Sequence, residues 1–302
     1  EISACLVGSE MCIRDRLILI NRNIDRARNL AGDFSDLKIL CKGLNELDEN
    51  TLVFNALHGG AGENGQIQSY LSHHKISYTG SDATASMLAM NKHFTKIIAL
   101  ENNVLTPNWL SINLNNSDRS KILSYKSNKF KVPVVVKPNF QGSTLGLSIV
   151  DNINKIENAL DVASIYSDNI IVEKFIKGRE LTVGILDDKA LEIVEIIPKS
   201  GFYDYKSKYT KGESEYICPA KLDKNLSAKI KENALRIYNA LGCRHYSRVD
   251  FILCEETGNP YMLEVNTLPG MSKTSLLPMS AASKGINFKS LVKNIIKLAV
   301  DK

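Results

Sequence analysis

The run Ser247-Arg248-Val249-Asp250-Phe251-Ile252-Leu253, followed after a Gly258-Asn259 turn by Tyr261-Met262-Leu263-Glu264-Val265-Asn266, decides the fold of this chain. Both runs alternate polar and apolar residues, which is the period-two signature of strands with one buried face. The pattern therefore predicts a β-hairpin. Its predicted buried face holds three apolar residues from each strand, namely Val249, Phe251 and Leu253 on the first and Tyr261, Leu263 and Val265 on the second.

The opposite face of this predicted hairpin collects polar side chains. Because successive side chains alternate across a strand, Arg248 and Asp250 share that face with Glu264 and Asn266. Two carboxylates and an amide oxygen form an oxygen-only set that suits Mg²⁺, an ion that keeps open positions for phosphate. A solvated outer face fits the same alternation. The loop 267–272, which contains Pro269 and Gly270, favours the metal interpretation because small residues permit a close approach of backbone to a ligand.

Composition narrows the class of protein. The chain has 302 residues, of which 44% are hydrophobic and 24% charged, so it has room for two or three globular domains. The net charge of +5 suits an anionic small molecule as well as nucleic acid, but no basic stripe with interleaved aromatic residues is present, and we expect no nucleic-acid partner. The six cysteines show no CxxC spacing, which indicates reduced thiols. Without a long apolar run or a signal-peptide pattern, we expect a cytoplasmic protein with no membrane partner.

A glycine-rich loop marks the first half of the chain. Residues 51–57 are predicted to form a buried strand, residues 58–65 (HGGAGENG) the loop, residues 66–73 a helix and residues 76–80 a short strand. This βαβ pattern is typical of open α/β sheets, in which such loops hold ligands. Taken on its own, the loop fits a tight turn without a ligand slightly better.

The rest of the chain reads as alternating helices and strands, followed by one long polar segment. Residues 199–218 are rich in Tyr and Lys and have neither helical nor strand periodicity, as is typical of a lid or of disorder. The other predicted elements are a helix over 82–102 with Asp82 as N-cap, a polar helix near 117–128, a strand over 132–137, a helix over 152–164, strands over 169–176, 180–186 and 190–197, and helices over 223–241 and 288–300.

Two further segments suit a nucleotide. Lys137 ends a predicted strand and precedes the small-residue loop 138–146, an arrangement that offers a cation and backbone N–H groups to phosphate. Such loops are common, so the signal is weak. The strand end 172–176 with Glu180 after it fits an adenine pocket and a carboxylate for ribose hydroxyls, although an edge strand with a turn fits equally. Within 202–209, a lid closing on charged groups competes with a solvated loop.

Together these segments resemble the D-alanine–D-alanine ligases of the ATP-grasp superfamily, from about Leu52 to the C-terminus. Their order and spacing make the resemblance specific. The matching segments are Ala56-Leu57-His58-Gly59, Gly62-Glu63-Asn64-Gly65, Tyr78-Thr79-Gly80-Ser81, Met90-Asn91-Lys92, Val136-Lys137-Pro138, Gly142-Ser143-Thr144, Gly146, Tyr203-Asp204-Tyr205, Lys208-Tyr209, Arg248-Val249-Asp250, Glu264-Val265-Asn266-Thr267 and Pro269-Gly270-Met271.

The resemblance implies an α/β and α+β architecture, in which an ATP-grasp fold follows a truncated Rossmann-like N-terminal domain. The implied domains are residues 1–81, a central ATP-grasp subdomain over 82–178 and a C-terminal ATP-grasp subdomain over 179–302. The implied activity is ATP-dependent ligation of two D-alanines through an acyl phosphate, for peptidoglycan precursor synthesis, by a homodimer. A D-alanine–D-lactate ligase and an ATP-binding but catalytically impaired fragment remain as alternatives; Tyr209 beside Lys208 favours the dipeptide enzyme.

The resemblance also assigns site residues in this numbering. Arg248, Gly270, Ser143 and Tyr209 would be catalytic, with Arg248 and the Gly270 N–H at the oxyanion. ATP would contact Lys92, Lys137, Ser143, Thr144 and Lys208 as well as Glu173, Lys174 and Ile176 at adenine and Glu180 at ribose. His58 would lie near the first D-alanine, and Lys208, Ser275 and Leu276 would hold the carboxylate of the second. Asp250, Glu264 and Asn266 would bind two Mg²⁺ (or Mn²⁺) ions.

Three departures from the family pattern stand out. Asn91 and Asn64 occupy positions where the family often has Asp. The family begins with a strand, a Gly-Gly turn and a Ser-x-Glu-Arg-Glu-[IV]-Ser segment, of which residues 1–3 (EIS) resemble only the tail. Residues 8–16 resemble nothing in the family, and their MCIRD run matches the translated end of a common sequencing-library transposon. We therefore expect residues 1–16 to include an assembly artefact; a divergent N-terminus is the alternative.

Overall fold

The computed structural model describes residues 5–9, 17–20, 39–42, 47, 51–116, 132–142, 144–198, 214–272 and 274–300. Several sequence-based predictions lie outside these residues: the helix near 117–128, most of the polar segment 199–218, most of the N-terminal segment 1–16, and the roles of Ser143, Lys208 and Tyr209.

The first of three sheets is mixed in direction. Its strands are β1 (Cys5–Ser9), β2 (Leu17–Ile20), β3 (Ile39–Lys42), β4 (Thr51–Phe54) and β5 (Ser77–Tyr78), in the order β3-β2-β1-β4-β5. Strand β1 runs antiparallel to β2 and β4, whereas β2–β3 and β4–β5 are parallel pairs. Helix α1 (Gln66–His73) connects β4 to β5, which confirms the βαβ unit, although β4 ends three residues before its predicted end.

The predicted single helix over 82–102 is wrong, because the chain forms two helices here. Helix α2 (Ala83–Met90) begins at the predicted N-cap, where Asp82 accepts a hydrogen bond from the Ala85 N–H at 2.8 Å. Asn91 then adopts an extended backbone, and its Oδ1 accepts from the Phe94 N–H at 3.2 Å to cap α3 (Lys92–Glu101). An Asn side chain that bonds nearby backbone ends one helix and starts the next, which places Lys92 in the first turn of α3.

The second sheet is antiparallel and has the order β6-β9-β7-β8, formed by β6 (Trp109–Asn113), β7 (Val134–Pro138), β8 (Ser148–Val150) and β9 (Asn169–Lys174). Helix α4 (Ile156–Ser164) packs its buried apolar side on this sheet and follows a short 3-10 turn over Ile153–Lys155. Lys137 and Glu173 lie on the two central strands, with their side chains buried.

The third sheet is also antiparallel. Its strands are β10 (Gly178–Leu186), β11 (Lys189–Pro198), β12 (Ser214–Ile217), β13 (Tyr246–Cys254) and β14 (Pro260–Asn266), in the order β12-β11-β10-β13-β14. Strand β12 corrects the expectation that residues 199–218 lack strand structure throughout. Helices α2, α3 and α5 (Lys224–Ala240) cover one face, whereas α6 (Leu276–Ser283) covers the other and contacts α7 (Phe288–Val300). The sequence did not predict α6.

The hairpin β13–β14 contains a bulge that the sequence pattern hid. Asp250 pairs with Glu264, whereas the next residue, Phe251, pairs with Met262, so Leu263 is the extra residue of β14. A bulge of this kind shifts the alternation of side chains between the two faces of a strand.

The predicted buried face is therefore right for β13 and partly wrong for β14. Val249, Phe251 and Leu253 lie in the main core as expected, and Val265 joins them. Met262, with no exposed surface, takes the core position expected for its neighbours. Tyr261 and Leu263 instead pack on the other face, against Ile176, Ile252 and Cys254. No helix in the described part of the chain is long and apolar enough to cross a membrane.

Candidate active site

A cavity of about 300 Å³ lies between the second and third sheets. It is lined by β7 and the loop after it, by the connection from β9 to β10, and by the bulged part of the β13–β14 hairpin. A second cavity of about 340 Å³ shares residues 174–177 with it. Ten of the predicted site residues line the first of these cavities, between the second and third sheets. They are Lys92, Lys137, Thr144, Glu173, Lys174, Ile176, Glu180, Arg248, Asp250 and Glu264.

Three of the four residues predicted for the polar face of the hairpin, Arg248, Asp250 and Glu264, line this cavity, whereas Asn266 does not. Arg248 donates two hydrogen bonds of 2.9 Å to Asp250, from Nε to Oδ1 and from Nη2 to Oδ2, and Thr182 on β10 donates a third at 2.6 Å. A bidentate pair of this kind fixes the plane of the guanidinium. Arg248 is thus held at the cleft wall with a defined orientation.

The donor set on the hairpin fits a magnesium site. Asp250 and Glu264 are register partners, and Asn266 lies opposite Arg248. The Oδ1 atom of Asn266 accepts from the Leu268 N–H at 3.1 Å, which orients its amide. Among the described residues, no group of three His, Cys, Asp or Glu side chains is arranged to hold a metal. Two carboxylates and an amide match an ion that takes its remaining ligands from phosphate and water.

Lys92 connects α3, on which it lies, with the loop after β7 and with the β13–β14 hairpin. Its Nζ donates to the Gln141 carbonyl at 2.5 Å, in the loop after β7, and lies 3.4 Å from Oε2 of Glu264. Burial lowers the pKa of Lys92 from its ordinary value, against the opposing attraction of Glu264. The ammonium therefore stands between the loop and the carboxylate face of the hairpin.

The N-terminal end of α3 is fastened to the end of β7. Asn139 accepts from the Lys92 N–H at its carbonyl and from the His93 N–H at its side-chain oxygen. Its amide also donates to the Asn91 oxygen at 2.9 Å. Asn91 thus performs with one oxygen both the helix cap and the contact to Asn139. Asn91, which stands where the resemblance implies Asp more often, thus makes both contacts in this chain.

Lys137 is held by a buried carboxylate. Its Nζ lies 2.5 Å from Oε1 of Glu173, and Oε2 of Glu173 lies 2.7 Å from the Nζ of Lys96. Burial alone would raise the pKa of Glu173, but the two ammonium groups outweigh it and hold the pKa below its ordinary value. Glu173 therefore remains a carboxylate whose two oxygens face two lysines, and Lys96 is a residue that the sequence analysis missed.

The loop after β7 is shaped by two left-handed residues. Thr144 has φ +63°, which is unusual for a β-branched residue, and Gly146 has φ +71°. A Cβ at Gly146 would lie 2.7 Å from the Tyr166 ring and 2.8 Å from Pro138. Only glycine suits this position, and backbone strain of the kind seen at Thr144 is concentrated at ligand sites.

Several apolar residues that line the cavity were not among the predicted site residues. They include Val135, Leu145, Leu147, Ile196 and Leu263. A signal existed for Leu145 and Leu147, which flank the glycine of the predicted phosphate loop. No local signal pointed to Leu263, because it enters the cavity through the bulge.

Not every predicted site residue reaches this cavity. Among the described residues, the set found elsewhere is His58, Asn266, Gly270, Ser275 and Leu276. His58 is exposed, with its Nδ1 3.4 Å from Oε1 of Glu63. Glu63 in turn lies against the loop after β7, since its Oε2 is 3.9 Å from where a Gly142 Cβ would stand.

The loop after β14 is held by a hydrogen bond between its own residues. Ser275 Oγ accepts from the Ser272 N–H at 3.0 Å and would lie 3.0 Å from a Cβ at Gly270, so a side chain there would press on it. Leu276 is buried beside Val194 and Ile196. The backbone N–H of Leu276 lies in the first turn of α6, and the N-terminal turn of a helix favours carboxylates.

Comparison with known proteins places this chain in a family. A family model described as "D-ala D-ala ligase C-terminus" matches residues 101–297. The chain is 39% identical over 275 residues to a D-alanine–D-alanine ligase from Methylacidiphilum infernorum, covering 91% of this chain and 87% of that protein. It is 45% identical over 245 residues to one from Aquifex aeolicus, covering 81% of each.

Solved structures agree with these relatives. The D-alanine–D-alanine ligase from Bacillus anthracis complexed with ATP superposes with a TM-score of 0.73 at 29% identity, covering 94% of this chain and 95% of that one. The VanG D-Ala:D-Ser ligase from Enterococcus faecalis gives a TM-score of 0.75 at 29% identity, covering 82% of this chain and 72% of that one.

Proposed function

This chain belongs to the D-alanine–D-alanine ligase family, and we propose that it joins two molecules of D-alanine to D-alanyl-D-alanine with ATP, as a step of peptidoglycan precursor synthesis. One observation carries the proposal: two lysines, Lys92 and Lys137, and the paired carboxylates Asp250 and Glu264 line the same cleft. Cations beside an oxygen-only metal face are what a polyphosphate chain requires.

The chemistry explains why such a cleft is needed. A carboxylate is a poor electrophile, so an oxygen of the first D-alanine attacks the γ-phosphorus of ATP, and ADP leaves. The amine of the second D-alanine then attacks the carbonyl carbon of the acyl phosphate, loses a proton, and inorganic phosphate departs. Lys92 and Lys137 would stabilise charge on the transferring phosphoryl group, and the apolar walls would keep water from the acyl phosphate.

Arg248 is assigned to the tetrahedral oxyanion. Its two bonds to Asp250 hold the guanidinium in place before any substrate binds, so little reorganisation is needed at the transition state. The Gly270 N–H is assigned as a second donor. Ser143 and Tyr209 complete the proposed catalytic group on the strength of the family resemblance.

Asp250, Glu264 and Asn266 are assigned as ligands for two Mg²⁺ (or Mn²⁺) ions. When bound, such ions would neutralise phosphate charge and orient the phosphates. Among the nucleotide contacts, Ile176 stands at an apolar wall and Glu180 at the start of β10, consistent with adenine and ribose roles respectively.

The amino-acid contacts form a second group of assignments. His58, which faces Glu63 near the loop after β7, is assigned to the first D-alanine. Ser275 and the N–H of Leu276, at the start of α6, are assigned to the carboxylate of the second, together with Lys208. The polar and dipolar character of a helix N-terminus supports a carboxylate there.

The assembly and the domain division are also proposed. Helices α2 and α3 expose large apolar side chains, including Met87, Phe94, Ile97 and Leu100. The last three recur along one side of α3, which supports a homodimer formed through this surface. The domains proposed are residues 1–81, 82–178 and 179–302, and the enzyme is assigned to the cytoplasm.

Phosphate release tests the activity. Wild-type protein is incubated with ATP, Mg²⁺ and D-alanine, and each is omitted in turn; release is expected only when all three are present. Replacing the second D-alanine with D-lactate or D-serine tests the alternative products, and we expect D-alanine to be the preferred acceptor. ATP binding without D-alanine-dependent release would overturn the proposal and mark an impaired nucleotide-binding protein.

A further inference from the structure

Lys96 lies behind the cleft wall and has no role in the assignments above. It is fully buried on α3, one helical turn after Lys92. Its Nζ donates to Thr106 Oγ1 at 2.7 Å and to the Pro107 carbonyl at 3.2 Å, and lies 5.4 Å from the centroid of the Trp109 ring. Burying a lysine ammonium costs free energy unless an anion or hydrogen-bond acceptors compensate its charge. The Lys96 ammonium faces the buried carboxylate of Glu173.

We propose that Lys96 is a positioning residue, which holds the Glu173 carboxylate between two ammonium groups and thereby sets where the Lys137 ammonium stands in the nucleotide cleft. The proposal rests on the assignment of Lys137 to ATP phosphates. Lys96 itself is not among the residues that line the cleft in the described part of the chain, so its effect on the nucleotide must pass through Glu173.

The contacts show why both lysines are needed. Glu173 is 3% exposed, and its two oxygens lie 2.5 Å from Lys137 and 2.7 Å from Lys96. With Lys96 removed, one oxygen of a buried carboxylate would face no cation, and the other would compete more strongly for Lys137. The Lys137 ammonium would then be drawn toward the wall and away from a phosphate in the cleft.

The anchors of Lys96 also reach the hairpin that carries the proposed metal ligands. Thr106 Oγ1, which accepts from Lys96, donates to the Met262 carbonyl at 2.8 Å, and the Met262 N–H donates to the Leu105 carbonyl at 2.7 Å. Met262 lies beside the bulge that turns Leu263 and Glu264 toward the cleft. Lys96 is therefore placed against residues 105–107, a segment after α3 that bonds β14 through Met262.

Direct binding measurements separate this role from loss of stability. ATP and adenosine affinities are measured for wild type and Lys96→Met by calorimetry or by competition, without turnover. Lys137 is assigned to phosphate, whereas Glu173 is also assigned to adenine, so we expect Lys96→Met to weaken ATP binding by roughly tenfold or more and adenosine binding by clearly less. Ile230→Ala, a change in the buried core on α5, serves as the stability control and should leave both affinities unchanged.

A double-mutant cycle tests the route of the effect. If Lys96 acts through Glu173, then Lys96→Met should change ATP affinity far less in a Glu173→Gln background than in wild type. Should Lys96→Met fail to fold, Thr106→Val keeps the charge but removes its hydroxyl partner, and a selective weakening of ATP binding is expected there. Unchanged ATP affinity, equal loss of ATP and adenosine, or additive effects in the cycle would overturn the proposal. Failure of D-alanine ligation with these binding results intact would instead count against the proposed function.

Discussion

Asp250 and Glu264 stand directly opposite each other on β13 and β14, and the strand register changes immediately after them. The bulge makes Leu263 the unpaired residue and turns it toward the same cavity as Glu264. One irregularity thus supplies the cleft with an acidic side chain and an apolar wall from consecutive residues. Bulges are common beside active sites because they re-aim side chains in this way.

Removing either hairpin carboxylate should abolish ligation without unfolding the protein. Glu264→Gln keeps the size of the side chain but removes its charge, so we expect turnover to fall by at least about a hundredfold at ordinary Mg²⁺. Glu232→Gln, on the exposed face of α5, is the matched control. Steady-state phosphate release is the measurement, with circular dichroism to check the fold. Near-normal turnover by Glu264→Gln would remove this residue from the metal site.

Arg248→Ala should act on the chemical step more than on nucleotide binding. Losing one preorganised donor to an oxyanion typically lowers kcat by about 10²–10³. The variant also leaves Asp250 without its bidentate partner, so ATP and Mg²⁺ affinities are measured in parallel. Arg236→Ala, an exposed pair with Glu232, is the control. A raised ATP KM with kcat unchanged would make Arg248 a nucleotide contact instead.

Two glycines with the same φ allow the energetic cost of backbone strain to be measured apart from that of steric conflict. Gly146 and Gly242 both have φ +71°, but a Cβ at Gly146 would collide with Tyr166 and Pro138, whereas nothing lies within 4 Å of one at Gly242. We expect Gly242→Ala to lower the free energy of unfolding by about 1 kcal/mol. Gly146→Ala should cost roughly 2–4 kcal/mol, because overpacking adds to the strain. Urea unfolding curves give both values, and equal costs would contradict the crowding around Gly146.

The pH dependence of stability should carry a contribution from Lys96. Burial lowers the pKa of Lys96 from 10.5 to about 8. Between these values the unfolded chain binds a proton that the folded protein has released, so the free energy of unfolding rises with pH across this window. The rise from this lysine is expected to be on the order of 1–3 kcal/mol.

The comparison of wild type with Lys96→Met isolates that contribution from those of other lysines. Urea unfolding is measured for both proteins at about pH 7.5 and 9.5. Wild type should gain stability relative to the variant as pH rises. An identical pH slope in the two proteins would show that Lys96 keeps its proton on folding.

The sequence was sufficient for features that depend on near neighbours. Asp82 as a helix cap, the βαβ unit after residue 51 and the polar face of β13 follow from local pattern, and the structure confirms them. The break at Asn91 was missed because an Asn inside an apolar helical pattern is ordinary until its contact with Asn139 is known.

The features that escaped prediction depend on distant partners. Met262 takes the core position because its backbone bonds Leu105 and Thr106, more than 150 residues away in the chain. Lys96 looks like a solvated helical lysine until β9 places Glu173 against it. Periodicity cannot reveal such pairs, because it describes the face of an element and not what another element brings to it.

The central claim is that a D-alanine carboxylate attacks ATP in this cleft, and the transfer of oxygen-18 tests it most directly. Wild-type protein is given ATP, Mg²⁺ and D-alanine labelled with oxygen-18 in both carboxylate oxygens, and the products are analysed by mass spectrometry. An acyl phosphate predicts one labelled oxygen in each phosphate released, with the other retained in the carbonyl of the new peptide bond. Dipeptide formed with unlabelled phosphate, or phosphate released without dipeptide, would contradict the account.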